Sequence, residues 1–140
     1  AFIGNPLAGE CAGATGRGGL LVIKGNASSR CGVSMKGIDI VVHGSIGHMS
    51  AFMAQRGNLV VCGDAGDALG DSIYEARLYV KGKVKSLGSD CIEKEMRAEH
   101  LEDLAKLLEA AHRKERPQDF RRYGSARKLY NFNVDHADAY

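Results

Sequence analysis

The sequence predicts a mainly β protein, a single-stranded parallel β-helix with about 19 residues per coil, followed by a C-terminal α-helix and an extended tail. Three observations predict it. Four glycines, Gly25, Gly44, Gly63 and Gly82, recur at a spacing of 19 residues, and each closes a short run rich in aliphatic residues. Written under one another, the segments align their apolar residues in columns. After Ile92 the composition changes abruptly to that of a helix. A fixed period of this length marks units that bury their apolar faces only by stacking on their neighbours. It is too short for a strand-helix-strand crossover, which needs about 30 residues, and for the common helix-pair repeats of about 33–47.

The runs before the glycines are Leu21–Lys24, Ile40–His43, Leu59–Cys62 and Leu78–Lys81. Residues two apart on a strand share a face. The columns Leu21/Ile40/Leu59/Leu78 and Ile23/Val42/Val61/Val80 are therefore expected inside, and Lys24/His43/Cys62/Lys81 outside. Two further apolar columns, Ala27/Ile46/Ala65/Val84 and Met35/Ala54/Ile73/Ile92, point inward on the other stretches of each coil. Most other glycines mark corners, where positive φ or close backbone approach is tolerated. One column breaks the plan: Val22, Val41, Val60 and Tyr79 are apolar yet expected to face outward. Such a stripe needs a cover, from the same chain or from a partner.

The second region, 93–140, opens with a predicted helix from Glu93 to about Arg116, with Leu101, Leu104, Leu108 and Ala111 at helical spacing. Acidic residues at its start and basic ones at its end suit the helix dipole, and Pro117 stops it. This helix is a candidate cover for the stripe. In the tail beyond it, Phe120, Arg121, Arg122, Tyr123, Tyr130 and Phe132 form an aromatic and arginine-rich set of the kind that anchors interfaces. The expectation is that they dock on another subunit, the alternative being that the tail wraps its own domain. The two regions are taken as 1–92 and 93–140.

The net charge of +2 falls in the first region, nine basic against seven acidic residues before Glu93 and ten against ten from there on. Neither region presents a polyanion-binding surface. No apolar run approaches the 18 or so residues of a membrane span, and the start shows no signal-peptide pattern. The dispersed Cys11, Cys31, Cys62 and Cys91 form no C-x-x-C pair and read as reduced thiols of a cytosolic protein. A metal or iron–sulfur site built from all four is the weaker alternative.

Chemistry-bearing motifs are few. Gly13–Gly19 is glycine-rich, but it lacks the G-x-G-x-x-G order and runs into a strand rather than a helix, so it reads as an enlarged corner. His43, His48, His100, His112 and His136 make no ligand pair at helical spacing, and each reads as a surface or satisfied histidine. Asp64, Asp67 and Asp71 are a candidate cation cluster but lack calcium-loop spacing, and they read as solvated turn residues.

The repeats Gly16–Ala27, Gly-Arg-Gly-Gly-Leu-Leu-Val-Ile-Lys-Gly-Asn-Ala, and Gly57–Gly70, with the recurring glycines, resemble the GXGXG domain of glutamate synthase. In that family this is the C-terminal right-handed β-helix of the large subunit, and the resemblance covers residues 1–92. The chain is also similar to the free-standing subunit of glutamate synthase-like N-methylglutamate synthase, whose ending Asp119–Arg127 resembles. The resemblance implies a right-handed coil in a cytosolic complex, a structural subunit without catalytic, cofactor-binding or metal-binding residues of its own. Its partners would be a glutamine-amidotransferase-like subunit and an FMN-binding subunit, with FMN and an iron–sulfur cluster held there. The chain shows four regular coils, fewer than that family's usual domain, which leaves upstream coils or a capping partner as alternatives. Competing readings are a β-helix subunit of a formylmethanofuran dehydrogenase-like oxidoreductase, a self-contained β-helix enzyme, and a protein that associates with its own copies.

Overall fold

The structure is a computed structural model that describes residues 2–4, 7–8, 19–27, 31–32 and 35–126. It is mainly β. The strands are β1 (Phe2–Gly4), β2 (Leu7–Ala8), β3 (Leu20–Ile23), β4 (Asn26–Ala27), β5 (Lys36–Val42), β6 (Arg56–Val61), β7 (Arg77–Val80), β8 (Cys91–Lys94) and β9 (Arg121–Ser125). A helix, α1 (Ala98–Ala110), and a 3-10 turn (Pro117–Asp119) lie between β8 and β9.

Consecutive segments lie on one another in parallel, each residue facing the one a repeat later. Leu21 pairs with Ile40, Ile40 with Leu59, and Leu59 with Leu78. Phe2 pairs with Leu21 in the same way, so the period extends back through β1. A second line of contact runs from the β2–β4 pair through bridges joining Ile46, Ala65 and Val84. A third is carried by backbone bonds such as Gln55 N–H to the Met35 carbonyl and Glu75 N–H to the Gln55 carbonyl, both 2.8 Å. A one-residue slip would turn every inward side chain outward, and this holds the register.

The interior follows the alternation. Ile23, Ile40, Val42, Leu59, Val61, Leu78 and Val80 are all buried, joined by Ala27, Ile46 and Ala65 from the second stretch. Met35, Ala54 and Ile73 supply the third. Ile92 does not continue that column: it is 45% exposed, and Cys91 is buried in its place. The last segment is shorter. Leu69 bridges Leu87, and Asp71 receives the Ser89 N–H, each pair 18 residues apart rather than 19. Losing one residue exchanges the inward and outward faces of the chain beyond that point.

The apolar stripe is covered by the chain itself. Val22, Val41, Val60 and Tyr79 form a second cluster with Leu104, Leu108 and Ala111 beside them and Phe120 at the edge. α1 is shorter than the predicted span. Glu93 and Lys94 belong to β8, and the helix begins where the Arg97 N–H donates to His100 Nδ1 at 3.1 Å. It ends in a Schellman-type turn: His112 takes a left-handed φ of 59°, His112 N–H reaches the Glu109 carbonyl, and Arg113 N–H reaches that of Leu108. No helix among the described residues is long and apolar enough to cross a membrane.

β9 finishes the sheet. It enters antiparallel between β7 and β8, pairing Leu78 with Tyr123 and Cys91 with Ser125.

Candidate functional site

The repeat glycines form a ladder that explains their period. Gly44, Gly63 and Gly82 each donate a backbone N–H to the glycine one segment before, at 2.8–2.9 Å. The residue after each glycine completes the step. Asn26 Oδ1 accepts the Ser45 N–H at 2.7 Å, Ser45 Oγ that of Asp64 at 2.9 Å, and Asp64 Oδ1 that of Lys83 at 2.8 Å. These side chains occupy the space a Cβ would need. A Cβ on Gly63 would lie 2.5 Å from Ser45 Oγ and 2.7 Å from the Gly44 carbonyl. Among these glycines φ is not the reason, since the left-handed glycines among the described residues are Gly19, Gly32, Gly37, Gly57 and Gly70. The polar column Asn26/Ser45/Asp64 stood in the sequence at the same period and was the signal overlooked.

The three aspartates are hydrogen-bonded staples to the last segment rather than merely solvated turn residues. Asp64 holds Lys83, Asp67 accepts from Ser86 Oγ at 3.2 Å, and Asp71 accepts from the Ser89 N–H at 3.2 Å. No group of three or more His, Cys, Asp or Glu that could hold a metal occurs among the described residues. Burial pushes the Cys31 and Cys91 thiols up to about 12. Cys62 rises to about 11, through burial first and then the Glu115 carboxylate. Thiolate chemistry needs the opposite shift, so these three are packing thiols. Cys11 lies outside the described residues.

His100 is fully buried, the second of the two readings the sequence allowed, a histidine satisfied within the chain rather than at the surface. Its Nδ1 caps the start of α1. Burial, then the nearby Arg122 and Arg77 guanidinium groups, lower it to about 4. Arg122 is itself buried, its Nε donating to the Glu95 carbonyl at 2.9 Å. Where Arg113 turns back from α1 it pairs with Glu115. Together with burial, the Arg113 charge lowers His43 on the outward column.

The tail set expected to grip another subunit is corrected in part. Phe120, Arg122 and Tyr123 are 4%, 1% and 5% exposed, packed within their own chain. The edge of β7 and the apolar stripe claim them first, because β9 supplies the backbone partner that edge lacks. Arg121 remains exposed, 3.7 Å from Glu93. Tyr130 and Phe132 lie outside the described residues. Beside Arg121 an open groove of about 910 Å³ runs along the last segment, lined by Lys83, Val84, Leu87, Glu93 and Tyr123.

No family model and no solved structure matches this chain. It is similar to Protein GlxC of Rhizobium meliloti (strain 1021), 78% identical over 96 residues that make up 68% of this chain and 42% of that protein. The chain thus spans less than half the length of the curated relative it matches.

Proposed function

We propose that this chain is a non-catalytic scaffold, as a subunit or a domain, of a cytoplasmic glutamate synthase-like, FMN-dependent amidotransferase complex making glutamate or N-methylglutamate. On this reading residues 1–92 are coils of a right-handed parallel β-helix, and 93–140 form its helical cover and docking tail. The observation that carries it is the use of polar side chains within the repeats. Asn26, Ser45, Asp64, Asp67 and Asp71 each bind the next segment. A stack held this way is rigid, and rigidity suits a part that fixes the separation of two catalytic modules. The resemblance of the glycine repeats to the GXGXG domain supplies the kind of module. The 78% identity over 96 residues of Protein GlxC supports a unit that also occurs as part of a longer chain.

The partners would be a glutamine-amidotransferase-like subunit and an FMN-binding subunit, with ammonia or methylamine chemistry passing between them. The contact surface is the end of the stack bordered by Arg121, with Tyr130 and Phe132 contributed by the tail. Co-expression with two such subunits tests this. The expected result is one complex on size exclusion, its flavin absorbance travelling with the FMN subunit, and an isolated chain that neither binds FMN nor hydrolyses glutamine. Flavin or glutaminase activity in the isolated chain would overturn it, as would elution of all three subunits apart.

A further inference from the structure

Each inner strand of the stack offers the same edge to the strand that follows it. β6 lies on β5 through residues 39–42, and β7 lies on β6 through residues 58–61, parallel and in one register. By the period, the far edge of β7 is the equivalent edge, and edges of this kind are where chains join one another. Here a strand of the opposite direction takes it. β9 runs antiparallel on β7, with Leu78 opposite Tyr123, Tyr79 opposite Arg122 and Val80 opposite Arg121. Opposite residues of such a pair share a face, so β9 is fastened in both layers. Tyr123 turns inward and joins the core that holds Leu78 and Val80. Arg122 turns to the side of Tyr79, where its Nε donates to the Glu95 carbonyl at 2.9 Å. With β9 seated, Leu78, Tyr79 and Val80 are fully buried.

The edge that β9 covers is self-complementary. β7 carries Leu78 and Val80 on the inward face, one on either side of Tyr79 on the stripe face. Two copies turned about a two-fold axis through Tyr79 set Leu78 of one opposite Val80 of the other. Inward faces then lie on one side of the joined sheet and the two stripes on the other. The sense is antiparallel, the one in which β7 already accepts β9. A contact of this type uses the same patch on both copies and closes as a dimer. We propose that β9 is an intramolecular cap that withholds the edge of β7 from a second copy of this chain. Releasing it joins two stacks end to end, β7 against β7, as a closed dimer.

The isolated full-length chain tests this, independently of the scaffold reading. The Arg122→Ala/Tyr123→Ala variant removes both fastenings and leaves every residue of β7 in place. Sedimentation velocity at rising concentration is expected to show a monomer–dimer equilibrium in the variant, with self-association about tenfold or more stronger than in the natural chain. A synthetic peptide spanning residues 117–126, added in excess, is expected to return the variant to monomer by refilling the edge. Leu104→Ala is the control for loss of stability alone: it loosens the cover with β9 still seated, and its self-association should match the natural chain's. Equal self-association of the double variant and the natural chain, while the Val60 and Val61 amides stay protected from exchange, would overturn the proposal. So would species larger than a dimer, association that the peptide does not reverse, or equal association of Leu104→Ala. Should the double variant lose that protection, Arg122→Met is judged by the same outcomes, since it keeps a packed stem and gives up the bond to the Glu95 carbonyl.

Discussion

Replacing Gly63 by alanine separates two explanations of the glycine period, because they predict opposite signs. If the glycine were there only for conformational freedom, alanine at a φ open to any residue would stabilise by about 0.4–1 kcal/mol, through the unfolded chain. Gly63 is not among the left-handed glycines. The geometry predicts destabilisation. The new Cβ meets Ser45 Oγ at 2.5 Å and the Gly44 carbonyl carbon and oxygen at 2.7 Å. Ser45 can turn away only by giving up its bond to the Asp64 N–H, a loss of about 0.5–1.5 kcal/mol. The Gly44 carbonyl is backbone tied into the ladder, so the segments must part, and overpacking of this kind costs about 1–3 kcal/mol. The expected loss is therefore about 2–4 kcal/mol. Urea unfolding followed by circular dichroism reads it as a lower midpoint at unchanged slope. Adding Ser45→Ala removes the side-chain clash but not the backbone one, so the double variant should recover no more than about 1 kcal/mol. A neutral or stabilised Gly63→Ala protein would refute the ladder as the reason for the period.

The covering layer carries three further expected outcomes. His100 has a folded pKa of about 4, below its ordinary 6.5, so the unfolded chain binds the extra proton first. Stability should be full above about pH 6.5 and fall as the pH drops toward 4, by at most about 3 kcal/mol; His100→Gln should flatten urea midpoints across that window. Leu104→Ala, at a fully buried contact with the Val60 and Tyr79 stripe, should cost about 2–5 kcal/mol and raise binding of a hydrophobic dye in the native baseline. His112→Gly relieves the left-handed turn that ends α1 and should raise thermal stability by up to about 1 kcal/mol; a lower melting temperature would contradict the turn.

Much of the fold was legible because a repeat states the same local rule several times. Leu59 and Val61 alternate as Leu21 and Ile23 do, and four aligned copies leave one face for the interior. The uncovered stripe and its cover by α1 were legible for the same reason, since Leu104, Leu108 and Ala111 share a helical face. For three residues of the tail, composition did not fix location. Phe120, Arg122 and Tyr123 have the makeup of interface anchors, but a strand edge and a stripe in their own chain lay closer than any partner.

The amino-acid sequence alone determined the period, the inward columns and the existence of a helical cover, because each is written in spacings of two to four residues or in a repeat of the whole segment. Only the tertiary structure decided why glycine occupies the recurring position, which residue of Cys91 and Ile92 turns inward, and where β9 goes. Each of those depends on an atom from a distant part of the chain. Ser45 Oγ lies over Gly63, a shortened last segment shifts the register, and an open edge on β7 awaits a strand more than 40 residues later. Local spacing fixes which face a side chain takes, whereas contact between segments fixes what fills the space beside it.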